Sequence, residues 1–159
     1  MAVNQGEQAA PAAQRADRWR ENLARGNLAA AIMLLIQYGL GIGVNLFVTL
    51  PAAAKGEGGR GIGTAFTSGP ALAVHTVLGL LLILTALSMV IRAVVARHRA
   101  SIITSAAGLL AILAAVGYGA SFVHSGSNAA SMGMAMATGV ALLCYVVGLF
   151  VTGRRPAPA

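Results

Sequence analysis

The chain has 159 residues, of which 57% are hydrophobic and 9% are charged, and its formal net charge is +7. An ordinary soluble domain carries roughly 25% charged residues, and a chain of this length cannot bury so much apolar surface in one core. The composition therefore excludes a disordered chain, a secreted disulfide scaffold and most soluble enzymes. It indicates an integral membrane protein.

The N-terminal segment is polar and rich in Ala, Gln and Arg. We predict that residues 1–26 form a basic, largely disordered cytoplasmic tail, because the first residues show no periodic apolar face. Within this tail, residues 15–27 can form a short helix with Trp19 and Leu23 on one face, a combination that suits the headgroup layer of a membrane. A solvated tail with a single Trp explains the same residues equally well.

Four long apolar runs follow, at about residues 28–50, 71–96, 101–123 and 129–152. Each is long enough to cross a hydrocarbon core of about 30 Å as a helix. The first run is too long for the apolar part of a signal peptide, so we expect it to be an uncleaved span. None of the runs alternates with a period of two. We therefore predict an all-α fold, a bundle of four transmembrane helices made of two antiparallel hairpins within residues 27–153.

The basic residues predict the orientation of these helices. Nine of the Lys and Arg residues lie in the N-terminal tail, in the turn at residues 92–99 and in the C-terminal tail at residues 154–159. The connection between the first two runs contains only Lys55 and Arg60. Because cytoplasmic loops carry the excess of Lys and Arg, we predict a multi-pass protein of the plasma (inner) membrane with both termini in the cytoplasm.

Several kinds of chemistry are excluded by residues that the spans lack. No Asp or Glu lies in any apolar run, which removes carboxylate proton relays and di-metal carboxylate sites. Cys144 is the single cysteine, so the chain has no intrachain disulfide and no thiol-rich metal site. The Gly-rich segment at residues 51–70 lacks the Gly-Lys-Ser/Thr ending of a phosphate-binding loop. We predict no catalytic residue, no metal site and no nucleic-acid partner.

A belt of polar residues is predicted at one depth, near the ends of the helices opposite the basic tails. Its members are Asn45, Tyr118, Ser121 and Ser131. With a rise of 1.5 Å per residue, all of them lie within roughly two turns of the outer surface. Polar side chains at this depth face the bundle, because lipid offers them no partner. Gln37, near the middle of the first run, either joins two helices by a hydrogen bond or lines a transport path.

His75 is the sharpest candidate for a functional site, because it is a titratable residue within a span. Gly79, one turn later, leaves a gap beside the imidazole that suits a porphyrin held between helices. Met132 or His124 is the tentative second haem ligand, and His/Met ligation is known in haem proteins. In the alternative interpretation, His75 is a hydrogen-bonded structural residue, His124 is a solvated turn residue and Met132 takes part in ordinary helix packing.

Residues 28–152 resemble small, uncharacterised bacterial four-helix membrane proteins, with an Ala/Gly/Arg-heavy composition similar to that of actinobacterial chains. The sequence His-Thr-Val-Leu-Gly at residues 75–79 also resembles the haem-ligand helix of four-helix b-type cytochromes and of haem-A-synthase-like bundles. This second resemblance implies haem b as a candidate cofactor, with His75 as its ligand.

The principal functional interpretation is a small non-enzymatic membrane protein, an accessory or structural subunit of a membrane assembly, because no span carries the set of acids, bases or ligands that chemistry requires. One alternative is a b-type haem-binding or electron-transfer protein that uses His75. A further alternative is an oligomeric small transporter or channel with Gln37 and Asn45 along its path. The expected partners are the lipid bilayer and either other membrane subunits or further copies of the chain.

Overall fold

The computed structural model describes residues 5–47 and 69–153. These residues form four α-helices and no strand: α1 (Gln5–Phe47), α2 (Pro70–Val95), α3 (Arg99–Ser125) and α4 (Asn128–Gly153). The all-helical prediction is thus confirmed for the described part of the chain. Most of the connection predicted at residues 51–70, and the tail at residues 154–159, lie outside the described residues.

The first helix extends beyond the first apolar run in the N-terminal direction. Helix α1 begins at Gln5 and continues to Phe47, so it includes residues 15–27, for which a short helix was one of the two interpretations, and also residues 5–14 of the segment predicted as a tail. Their high content of Ala, Gln, Glu and Arg explains this, since these residues have high helix propensities. The apolar part of α1 also supplies the helical nucleus from which the segment extends, which removes the cost of nucleation. An exposed ion pair one turn apart, Arg25 to Glu21 at 2.6 Å, adds to this segment.

All four helices have the length and the composition required to cross a membrane. Their outward faces carry large apolar side chains, such as Leu84 at 63%, Leu110 at 67% and Phe150 at 66% exposure. A water-soluble monomer rarely exposes so large a continuous apolar surface, whereas lipid chains cover it without cost. The chain is therefore an integral, multi-pass membrane protein whose outer surface contacts the bilayer.

The helices are arranged in a ring in which each helix packs against two neighbours. Helix α1 contacts α2 and α4, and α3 contacts the same two helices. The core lies in the half of the bundle where α2 ends and α3 begins, and it contains the buried residues Leu23, Ala30, Leu34, Leu82, Ala86, Met89, Ala93, Ile112, Ala141 and Tyr145.

Two glycines set the spacing of α4 from its neighbours in this half. A Cβ atom at Gly108 of α3 would lie 2.8 Å from the ring of Tyr145, and one at Gly148 would lie 2.8 Å from the Asn27 side-chain oxygen. Such distances are shorter than real side chains tolerate, so each close approach requires glycine. Small residues commonly play this part in membranes, where close packing drives helix association.

A tight basic turn joins α2 to α3. The amide of Arg97 donates to the oxygen of Val94 at 3.0 Å, and the amide of His98 donates to the oxygen of Ala93 at 3.3 Å. This is the Schellman pattern of helix ends, in which the residue after the helix adopts left-handed geometry, and Arg97 has a φ of 53°. His98 then caps α3, since its Nδ1 accepts from the Ser101 amide.

Candidate functional site

A cavity with a volume of about 760 Å³ lies between the four helices, in the half of the bundle where α2 begins and α3 ends. This volume falls within the range typical of small-molecule sites. Its lining is mostly apolar, and the described residues that form it include no Asp, Glu, Lys or Arg. The lining nearest the middle of the bundle consists of Leu34, Leu82 and Ile112, each at most 3% exposed. The cavity thus suits a hydrophobic, uncharged molecule.

Five of the seven residues predicted as haem ligands or as members of the polar belt line this cavity. His75 comes from α2, His124 from α3 and Met132 from α4, so the three tentative haem ligands share one space. Asn45 of α1 and Ser131 of α4 also line it. The structure therefore brings together residues that are separated by up to 87 positions in the chain.

The other two members of the predicted belt lie elsewhere. The ring of Tyr118 lies against α4 at Gly133, where a Cβ atom would be 2.7 Å from it, and Tyr118 is not among the residues that line the cavity. Ser121 is exposed, and its backbone oxygen accepts a hydrogen bond from the Ser125 hydroxyl at 2.8 Å. The rotation of α3 explains both positions, because Gly119 and Ala120 face the cavity instead.

Gln37 and His75 join α1 to α2 at the wall of the cavity. The Gln37 amide nitrogen donates to the backbone oxygen of His75 at 2.9 Å and lies 3.3 Å from Nε2 of the imidazole. An amide nitrogen only donates, so Nε2 accepts in this pair and the ring proton lies on Nδ1. Gln37 Oε1 and His75 Nδ1 are buried and have no hydrogen-bond partner among the residues that the structure describes. The pair is therefore a specific interhelical contact with two unused polar atoms.

Two glycines make room for the Gln37–His75 pair, and the side chain that lies beside Gly79 is not the one that the sequence predicted. A Cβ atom at Gly41 of α1 would lie 3.3 Å from His75 Cε1, whereas one at Gly79 would lie 3.2 Å from the Gln37 amide nitrogen. We had expected Gly79 to leave a gap beside the imidazole. The imidazole instead crosses to α1 and lies against Gly41, so the space above Gly79 holds the Gln37 amide.

A second group of buried polar residues lies in the other half of the bundle. Asn27 and Ser105 are each 1% exposed, and Tyr145 is 0% exposed. Both polar atoms of the Asn27 side chain, the Ser105 hydroxyl and the Tyr145 hydroxyl have no partner within the described chain. Groups of this kind usually hydrogen-bond to buried water. Neither Asn27 nor Ser105 was predicted from the sequence, in which the one available signal is the position of Asn27 immediately before an apolar run.

Metal-binding side chains do not cluster in the described residues, which contain no group of three or more His, Cys, Asp or Glu suited to a metal ion. Cys144 is a free, half-buried thiol on α4. Any ligand of the large cavity is therefore held by isolated polar groups within an apolar wall.

No family model matches this chain, and no curated protein and no solved structure does so either. The functional assignment is accordingly built on the fold and on the cavity.

Proposed function

We propose that this chain is a non-enzymatic membrane protein that holds a hydrophobic, uncharged molecule between its helices, as an accessory subunit of a membrane assembly that supplies or uses this molecule. The observation that carries the proposal is the cavity of about 760 Å³ that all four helices line. A bundle that served only as structure would gain from filling this space, since an apolar void forfeits packing contacts.

The chemistry of the lining narrows the class of ligand. An ionic head group would remain unpaired there, and burying an unpaired charge costs far more than apolar contacts return. Asn45, His124 and Ser131 offer hydrogen-bonding groups at the end of the cavity nearest the membrane surface. A neutral amphiphile with a small polar end and a hydrophobic body meets both conditions.

The proposed topology places both termini and the α2–α3 turn in the cytoplasm, with the cavity in the outer half of the membrane. It is supported by the position of Arg18, Arg20, Arg97 and Arg99 at one end of the bundle, while the described residues at the other end include no Lys or Arg. The first of the two proposed hairpins is supported by contacts that run in opposite order along α1 and α2, since Gly26 lies against Met89 and Gln37 contacts His75.

The proposal is tested by measuring what the protein retains after purification in mild detergent. Solvent extraction and mass spectrometry should find about one equivalent of a neutral apolar compound per chain in the wild type. Ala115→Phe should lose it, because Ala115 lines the cavity. Ala114→Phe is the matched control, because Ala114, which precedes Ala115 on α3, is exposed and does not line the cavity.

Two results would reject the proposal. In the first, the wild-type protein carries no apolar compound beyond the lipid that a control membrane protein carries. In the second, Ala115→Phe and Ala114→Phe retain the same amount, which would show that the compound is bound at the lipid-facing surface.

A specific observation favours haem b as a second candidate for the occupant. His75, His124 and Met132 approach the cavity from three different helices, and haem b would be held by His75 with one of the other two. Bound haem would supply electron transfer. The fit has two requirements. The described lining has no Lys or Arg to pair with the haem propionates, so these carboxylates would have to reach the membrane surface. In addition, Nε2 of His75 lies 3.3 Å from the Gln37 amide nitrogen, and ligation through Nε2 requires Gln37 to release it. A Soret absorption band in the purified protein would identify haem.

A further inference from the structure

A second, smaller cavity of about 200 Å³ lies at the opposite end of the bundle. Its walls come from three parts of the chain, with Trp19, Arg20 and Leu23 from α1, His98 from the α2–α3 turn, and Val151 and Thr152 from the end of α4. The pocket therefore combines an aromatic ring, a guanidinium and an imidazole with an apolar floor, at the level where the apolar faces of the helices end.

The electrostatic surroundings of this pocket are positive. Arg18 on α1 and Arg97 and Arg99 at the turn are exposed at the same end of the bundle. Among acids whose side chains the structure describes, this end has Asp17 and Glu21. Arg25 engages Glu21 in a salt bridge. A negatively charged group is consequently favoured at the mouth of the pocket.

We propose that this pocket binds the phosphate of an anionic phospholipid. A guanidinium presents a fork of N–H donors that matches phosphate oxygens, and Trp19 has the amphipathic ring that residues at the headgroup level commonly have. Basic pockets between transmembrane helices are recognised sites for anionic headgroups. The pocket holds the phosphate against Arg20 and His98, and the glycerol backbone lies beside Trp19.

The surface next to the pocket is suited to the acyl chains. Val147 of α4 lies one turn before the pocket residue Val151, on the same face of the helix, and is 42% exposed. This apolar face continues the pocket along the membrane-facing side of the bundle. A phosphate without acyl chains would leave this surface unused, which is why the occupant is a lipid rather than a free phosphate.

Arg97 precedes the pocket residue His98 in the chain and has a left-handed conformation, with a φ of 53°. This proposal is independent of the occupant of the large cavity, because the two sites lie at opposite ends of the helices.

The test measures lipid binding to the full chain in a neutral detergent by native mass spectrometry. Dioleoylphosphatidylglycerol should bind and raise the melting temperature, while dioleoylphosphatidylcholine and glycerol 3-phosphate should do neither. Arg20→Gln should weaken phosphatidylglycerol binding by roughly tenfold, the loss expected for a charge-assisted hydrogen bond. Arg25→Gln, with the same change of charge on the same helix, lies outside the pocket and should bind as the wild type does.

Three outcomes would overturn the proposal. Equal binding of the two phospholipids would remove the role of negative charge, and equal protection by glycerol 3-phosphate would identify a free-phosphate site. Equal weakening in Arg20→Gln and Arg25→Gln would show a general effect of charge. If Arg20→Gln does not fold, Arg20→Lys keeps the charge and loses the fork, and binding by this variant should still be several times weaker than that by the wild type.

Discussion

The side-chain amide of Gln37 reaches from α1 to α2 and contacts His75 twice, at the backbone oxygen at 2.9 Å and at Nε2 of the ring at 3.3 Å. The backbone oxygen of His75 thus has an acceptor role beyond the ladder of its own helix. The contact fixes both the rotation and the axial position of α1 relative to α2 at the wall of the cavity.

Replacing Gln37 with Leu should destabilise the protein by about 1 kcal/mol, the scale found for hydrogen bonds between membrane helices. The loss arises because His75 Nε2 is left without its donor. Unfolding in mixed detergent micelles measures this change. Thr138→Val is the matched control, since the Thr138 hydroxyl bonds within α4 to the oxygen of Met134 at 2.8 Å. Equal stability of Gln37→Leu and the wild type would show that the contact does not hold the helices together.

If the cavity binds haem, the absorption spectra of single variants should differ in a defined way. His75→Ala should abolish the Soret band and lower the melting temperature together, because a bound cofactor stabilises only the folded state. Comparison of His124→Ala with Met132→Leu identifies the second ligand, since only the true ligand changes the spectrum. Gln37→Leu should keep the band, because it frees Nε2. A colourless wild-type protein, purified from cells supplied with haem, rules out this alternative.

Glycine-to-alanine substitutions in α3 should differ in their effect on stability, according to the space beside each glycine. Gly108→Ala should cost about 1–3 kcal/mol, because its Cβ atom would lie 2.8 Å and 3.0 Å from two ring carbons of Tyr145. Gly117→Ala should be neutral or slightly stabilising, since nothing lies within 4 Å of that Cβ position and alanine favours the helix. Unfolding free energies of the two variants provide the comparison. A larger loss at Gly117 would contradict the described packing of α3 against α4.

The proposed topology predicts the behaviour of reporters. A fusion at the C-terminus should report a cytoplasmic location, and an insertion near Gly58 should report an external one, because the arginines before the first span dominate the orientation. Arg154→Gln and Arg155→Gln should leave this pattern unchanged. Alkaline phosphatase and green fluorescent protein fusions give complementary readings, and the reverse pattern would overturn the assignment of the cavity to the outer half of the membrane.

The helices were predictable because their signal is local. The run predicted at residues 71–96 corresponds to Pro70–Val95, and that at 129–152 corresponds to Asn128–Gly153. In each case the length of an apolar segment is a property of consecutive residues. The helical start at Gln5 was not predicted, because residues 5–14 have no apolar periodicity and only their intrinsic propensity favours a helix.

The contacts within the site depend on information that is not local. The depth of His75 and Met132 in the membrane follows from their distance to a helix end. The sequence was therefore sufficient to predict that both residues lie at the same level of the bundle. Tyr118 has a similar depth but lies against Gly133, because depth does not determine how a helix is rotated. The pairing of Gln37 with His75 also depends on rotation, and glycines on both helices leave room for it at the point of contact.

The connections between consecutive helices differ in length, and this affects where a ligand can enter the large cavity. Helices α2 and α3 are separated by residues 96–98, and α3 and α4 by Gly126 and Ser127, so these three helices are coupled in any axial movement. Helix α1 is separated from α2 by residues 48–69 and has no short connection to it. If an occupant enters the large cavity between α1 and α2, we expect the Gln37 amide to leave both the backbone oxygen and the imidazole of His75 first.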